Sequence, residues 1–527
     1  MQDLNNIENT VADLTEVEAI FPSEQLLNRN ILKEVVEAES LSSANRNFIG
    51  SNIVTGDDNT GLLNQDIDLD AGNLIQYSLL VNGGGSNNRA IVNRGDSGEG
   101  QQIVINTGAI RGTNIVTGSG NNNIGIDNYE TSIATGEGRD RVLGIVSIEG
   151  DGNGNRSISN TFSTIDLEGN NDRIKGITSI AGNGDSNSGS TGGFFGYVLG
   201  NGNDKFDAIL KITGDGDRNS GFSGGDGAIV GDAGNDTVKT TVSIGGDGND
   251  NDGISLSEAG IILGDGSDRL NATVRIDGDG SNNSGIFLIF GSVSADSGNN
   301  LINSTVEIRG SGDYNRGLEL DFFGDILGGT EADRLVSSVR VRSGSNNIGS
   351  YVGDFGNINL GDGNDRLISS TEIVGAGDNN SGIVLAAEQG SAGIDTGAGN
   401  DLIRSSVSVS NGINNYAIDN RQTIELGTGN DSIEAEAPDV FSGYTGGGTI
   451  NLGAGDDLIN GFGEQFIDGG EGFDVAQFGF KDFSVTLGSE PNSLEIVAND
   501  ITMSFSGVEQ FDFVVNSYSF DELAALV

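Results

Sequence analysis

Residues 264–286 read GDGSDRLNATVRIDGDGSNNSGI. Two glycine-rich turns flank one run in which Leu270, Ala272, Val274 and Ile276 alternate with Arg269, Asn271, Thr273 and Arg275. Alternation of period two marks a half-buried strand. It recurs as Val142, Gly144, Val146, Ile148, as Phe206, Ala208, Leu210, Ile212, and as Ile403, Ser405, Val407, Val409. The second inward place is small in every copy, which lets another backbone layer approach closely there.

Working outward, the last Asp of the first turn recurs at Asp140, Asp172, Asp204, Asp236 and Asp268, in steps of 32. Asn300 takes the next slot. Asp333, Asp365, Asp401, Asp431 and Asp457 follow at steps of 33, 32, 36, 30 and 26. The second turn, Gly-x-Gly-x-x-Asn-x-Gly-apolar, sets its Asn at the same step of 32 from Asn123 to Asn347. A fixed period of this length marks a solenoid. Two turns and two runs per period predict an all-β, right-handed parallel β-solenoid over residues 47–461. It is β-roll-like, with about 32 residues per coil and one strand from each coil in each of two parallel sheets. Residues 32 apart then stack in register.

The ends differ. Residues 1–46, with ILKEVVEAES at helical spacing, predict a helical N-terminal cap. Residues 462–527 gather aromatics and predict a β-rich C-terminal module closing on a short helix. The run after each Asn varies from coil to coil and carries Phe194 to Tyr197, Phe287 to Phe290, Phe322-Phe323 and Tyr351 to Phe355. These rings are expected either on an exposed contact face or inside a wider coil.

Composition narrows the function. Lys+Arg is 26 against Asp+Glu 77, a net charge of −51, with 87 Gly, 3 Pro and no Cys, His or Trp. Disulfides, zinc sites and histidine-dependent catalysis are excluded. Nucleic acid and anionic lipid are repelled, whereas hard cations, calcium first, are attracted. No apolar run is long enough for membrane insertion. The start MQDLNNIENTVADL has neither the basic nor the apolar region of a cleavable secretory signal.

Glycines let carbonyls turn toward an ion, and an Asp at the loop end adds a carboxylate. One ion can then be shared between adjacent coils. The alternative is an Asp that only caps its own turn. For the Asn positions a hydrogen-bonded ladder is expected, with calcium as the alternative. Arg141, Arg173, Lys205, Arg269, Arg334 and Arg366, each next to an Asp or its equivalent, read as a solvated stripe.

Near the end stands Gly469-Gly470-Glu471-Gly472-Phe473-Asp474-Val475-Ala476. It resembles the G-G-x-G-x-D-x-U-x calcium nonapeptide of the repeats-in-toxin (RTX) family. The other copies resemble it from its second Gly onward, with Leu, Val, Ile or Thr usually at the first. The half-turns of 15 and 17 residues are longer than the tandem repeats of that family. The tail VEQFDF…YSFDELAALV is similar to the family's closing module, which implies an uncleaved type I secretion signal. The resemblance implies Ca2+ held at Asp140, Asp172, Asp204, Asp236, Asp268, Asp333, Asp365, Asp401, Asp431, Asp457 and Asp474. In architecture the chain resembles oscillin-type surface fibril proteins of filamentous cyanobacteria. That implies a secreted, non-enzymatic structural protein of the extracellular cell surface. It would assemble with itself into fibrils, a sheath or a surface layer and meet cell-surface polysaccharide. A calcium-dependent adhesin, or a polysaccharide lyase or epimerase carried on a β-helix, is the alternative. Ice binding is disfavoured because the variable strands lack a flat Thr array.

Overall fold

Each run after an Asp forms a strand with buried inward residues, as in Arg269–Ile276; Val409, in Leu402–Asn411, is half-buried. The computed structural model describes residues 48–65, 69–71, 74–95, 102–105, 108–490 and 492–527. The expected cap over residues 1–46 lies outside them. Strands Arg173–Ile180, Lys205–Ile212, Thr237–Ile244 and Arg269–Ile276 pair in parallel, residue on residue, with partners 32 apart. The fold is an all-β parallel β-solenoid of about 13 turns, with about 32 residues per coil.

The coil has three strands where two were expected. The run between Asn283 and Asn300 divides into Ser284–Ile289 and Ser292–Asp296. Phe290 makes the corner at φ +52°. Glu130, Phe162, Phe194, Glu258, Phe322 and Phe355 stand at matching corners, all with φ between 44° and 64°. A bulky side chain in the left-handed region is uncommon, so residue type did not betray the corner. The coils therefore build a long-strand sheet after the Asp, a middle sheet after the Asn, and a short-strand sheet before the next Gly-x-Gly.

The small inward slot is where the long-strand and middle sheets touch. Gly144, Gly176, Ala208, Thr240, Ala272 and Ser304 stack along it. A methyl built on Gly253 of the middle sheet would stand 3.1 Å from the Ala272 Cβ. Buried Ser369 and Ser405 in this slot donate to the carbonyls of Gly382 and Ala417, both at 2.6 Å. This waist divides the interior in two. Leu210, Ile212, Val242, Ile244, Val274 and Ile276 belong to the cluster on the Asn side. Leu270, Ile286, Leu288 and Val293 belong to the larger cluster on the other.

The middle sheet ends at Tyr444–Thr445. That last middle strand is two residues long in a coil of 26, and the next coil has none and takes 17 residues, Asp457 to Asp474. Parallel stacking continues past residue 461 through Val475–Gln477 onto Gln510–Asp512. Antiparallel strands Ser484–Leu487, Ser493–Ala498 and Ile501–Ser506 and a helix, Phe520–Ala524, close the chain. Leu494, Ile496, Met503, Phe505 and Leu523 extend the core into this end.

Of the aromatics, Tyr197 is wholly buried against Phe206 and Phe222. Phe194, Phe290, Phe322, Phe323 and Phe355 are exposed. So the variable run supplies both core and surface. Overpacking the waist tests the two-cluster interior. Ala272→Leu should cost about 1–3 kcal/mol and lower the thermal midpoint measured with calcium present. Asn271→Ala, one residue away and facing outward, should barely move it.

Candidate metal centre

The Gly-x-Gly turns stack so tightly that side chains are excluded from them. Gly264 has φ +86° and Gly266 +150°. A Cβ on either would meet the Asp232 or Gly234 carbonyl of the coil before at 1.9 or 1.6 Å. Each turn thereby delivers its Asp into the interior edge of the stack.

All of the predicted aspartates fall in one column. The backbone N–H of Asp172 donates to Asp204 Oδ1 at 2.6 Å, Asp204 to Asp236 at 2.7 Å, and Asp236 to Asp268 at 2.6 Å. The column runs on through Asn300, Asp333, Asp365, Asp401, Asp431, Asp457 and Asp474. Glu509 ends it, accepting from Asp474 N–H at 2.8 Å. Sequence reading missed Glu509, which belongs to no repeat.

The Asn column of the other turn is built the same way, and the ladder reading holds. Asn251 donates to Asn283 Oδ1 through both its backbone N–H, at 2.9 Å, and its Nδ2, at 3.0 Å. The same Nδ2 reaches the Gly216 carbonyl at 3.0 Å. Donors and acceptors are matched. Exposed rows beside it, such as Asp215, Asp247 and Asp279, also stack, each accepting from the next coil's N–H. The basic stripe after the Asp is solvent-exposed, as expected. Arg173 within it pairs with Asp207 at 2.7 Å.

The Asp column differs from the Asn column by one proton donor per coil. Oδ2 of Asp140, Asp172, Asp204, Asp236, Asp268, Asp365, Asp401, Asp431, Asp457 and Asp474 is buried and has no hydrogen-bond partner. Asn300 shows what such an atom faces. Its Nδ2 donates to the carbonyls of Ala295, at 3.1 Å, and Gly298, at 2.9 Å. Leu263 and Gly266 stand in register with these two in the coil of Asp268. Where the column holds Asp, an acceptor therefore faces acceptors. Such an arrangement is satisfied by a proton or by a cation. The glycine before the turn completes the cradle. A methyl on Gly231 would stand 2.7 Å from Asp236 Oδ2, and one on Gly469 2.6 Å from Asp474 Oδ2.

Asp333 is the exception, since its Oδ2 accepts from Gly329 N–H at 2.9 Å. Among the described residues no three His, Cys, Asp or Glu side chains gather into a metal-holding cluster. A cation in this column would have one carboxylate oxygen per coil, with backbone carbonyls making up the rest. That oxygen-only set suits calcium.

Burial raises these carboxyls, and neighbouring carboxylates raise several of them further. Asp172, Asp236, Asp365, Asp431 and Asp474 are pushed up to about 7, and Asp204 and Asp268 to about 6. The accepted backbone hydrogen bond opposes the rise in each.

No family model matches the sequence, and no curated protein matches it. Among solved structures the chain is similar to a hyperactive, Ca2+-dependent, β-helical antifreeze protein from an Antarctic bacterium. The identity is 18%, covering 77% of this chain and 88% of that one, with a TM-score of 0.31.

Two outcomes follow from the column. An acid whose pKa is raised on folding holds its proton more tightly in the folded chain. In chelator, the stability present below about pH 4 should therefore be lost as pH climbs through 6 to 7, the range of the folded values. Urea melts across pH, with and without calcium, read this directly. Calcium should flatten the profile. Secondly, Asn300→Asp should add one calcium to the bound total and weaken the chain in chelator. Asp236→Asn should remove one calcium and strengthen the chain in chelator. Equilibrium dialysis and melting temperatures check both.

Proposed function

We propose that this chain is a secreted, calcium-stabilised structural protein of the cell surface that assembles with itself. The observation that carries the calcium reading is the column of buried, unpartnered carboxylate oxygens, set against Asn300, whose amide reaches carbonyls at the same place. Ions bound by the folded chain alone stabilise it by mass action. They also neutralise part of a net charge of −51 that otherwise resists compaction. The nonapeptide around Asp474 and the tail to Val527 support type I secretion, by their resemblance to the RTX family.

A structural role is supported by how the chain spends its residues. Ladders, waist and core take up the repeat, and no inserted domain interrupts it among the described residues. No helix among these residues is long and apolar enough to cross a membrane. Assembly is supported by the exposed corner aromatics. Phe162 and Phe194 stack at 4.6 Å, and Phe323 and Phe355 at 4.5 Å with planes 4° apart. Phe290 lies against Phe322 and Phe323. Exposed rings in contact on an acidic surface form an apolar stripe that a second copy can cover.

The test combines chelation with microscopy. Circular dichroism at neutral pH should lose its β signal in chelator and regain it with calcium, and negative-stain images should show assemblies with calcium alone. An unchanged β signal in chelator overturns the calcium reading. Replacing Phe322 and Phe323 with Ser should leave a folded monomer of normal melting temperature and reduce assembly. Normal assembly by that variant would remove the stripe from the account.

A further inference from the structure

A furrow on the outer face of the middle sheet serves neither the core nor the aspartate column. Two outward rows line its floor. Asp252, Ser284 and Arg316 stand in register in one, and Phe287, Glu319 and Tyr351 in the other. A cavity of about 310 Å³ opens over them, with Asp250, Asn282 and Tyr314 also in its wall. Further along the same face a second cavity, of about 500 Å³, is lined by Asn379, Asn414, Tyr416, Asp419, Arg421 and Glu464. The first row connects the two, since Arg316 leads through Ile348 and Ser381 to Tyr416.

The two cavities carry the same set of groups. Each has a tyrosine, Tyr314 or Tyr416. Each has a carboxylate held by an arginine. Arg316 pairs with Glu319, which also accepts from Ser284 Oγ at 2.6 Å, and Arg421 binds both oxygens of Asp419, at 3.1 and 2.8 Å. Each has amides on the rim, where Asn282, Asn379 and Asn414 hold φ of 55° to 57°. A group set repeated along one face fits a ligand that itself repeats.

Charge selects the kind of polymer. The guanidinium groups are already paired, Arg316 with Glu319 and also over the Tyr351 ring at 4.3 Å. Burial, and then Glu319, raise Asp252 well above the ordinary carboxylate range, but Asp250 remains unpaired by either arginine, so the first cavity is net negative and repels an anionic chain. Carboxylates, amides and hydroxyls together both accept and donate hydrogen bonds, as a polyhydroxylated chain requires. Rings offer flat apolar area to the C–H faces of a sugar. We propose that this furrow binds a neutral polysaccharide chain. The binding needs the folded solenoid but no ion in the furrow, so it stands apart from self-assembly and from the aspartate column.

The experiment is native affinity electrophoresis of the full chain in calcium. The gels contain a neutral mixed-linkage glucan, a neutral galactomannan, or alginate as the acidic control. A neutral glycan should retard the chain, and alginate should not. The variant Tyr314→Asn with Tyr416→Ser takes each residue from a neighbouring coil, Asn282 or Asn346 and Ser381, so its fold is expected to survive. It should weaken binding about tenfold, equivalent to about 1.4 kcal/mol, with an unchanged β signal. If that variant fails to fold, Asp252→Asn in its place should also weaken retention. Absence of retardation by either neutral glycan, stronger retardation by alginate, or undiminished binding by the folded variants would overturn the proposal. So would a concentration-dependent dimer that these substitutions abolish without glycan, because the furrow would then seat a second copy.

Discussion

A side-chain oxygen accepting the backbone N–H of the coil before it is the contact on which this molecule depends. It occurs at two corners of the coil, through Asn at one and Asp at the other. Parallel strands alone leave register to the hydrophobic pattern. The ladders pin it at the turns, where the backbone would otherwise have unpaired groups. The core can then be modest in aromatic content, because Val, Ile and Leu stack on their own kind from coil to coil.

The two ladders share a geometry and differ in chemistry. An amide has a donor to spend on the carbonyls behind it, so the Asn column is complete as a protein structure. A carboxylate has none, so the Asp column is complete only with something positive added. Repeating that deficit in coil after coil couples the stability of the whole stack to protons or cations. Asn300 interrupts the series with an amide, and there the chain completes the contact without help. Folding is thereby made conditional on the protons or cations of the medium.

The surfaces are distributed with the same economy. The long-strand sheet faces outward with mixed charge, including Arg309 with Asp277 at 3.0 Å and Arg404 with Glu434 at 2.5 Å. Exposed pairs of this sort add little stability, but they keep a sheet face from being apolar. The corner after the middle strand is where variation accumulates. It lies outside both ladders, and neither the waist nor the column constrains it. The aromatic stripe at that corner and the furrow on the adjoining sheet can change without cost to the stack.

The sequence by itself determined the coil, its length, the strand after each Asp and the gathering of the aspartates into one column. Each of these rests on local periodicity, and a step of 32 repeated without change leaves little freedom of register. It also determined that the Asn positions form a ladder, because an amide can satisfy its own kind. Tertiary structure alone decided the rest. The third strand depends on a left-handed corner occupied by Glu or Phe, residues with no preference for that conformation. Phe194 makes that corner and is exposed, whereas Tyr197 falls just past it on the short strand and enters the core. Glu509, ending the column from outside the repeat, is placed by the fold of the last coil. The orphaned Oδ2 atoms emerged only when the coils were stacked, because the carbonyls they face belong to a turn whose path the residue letters do not state.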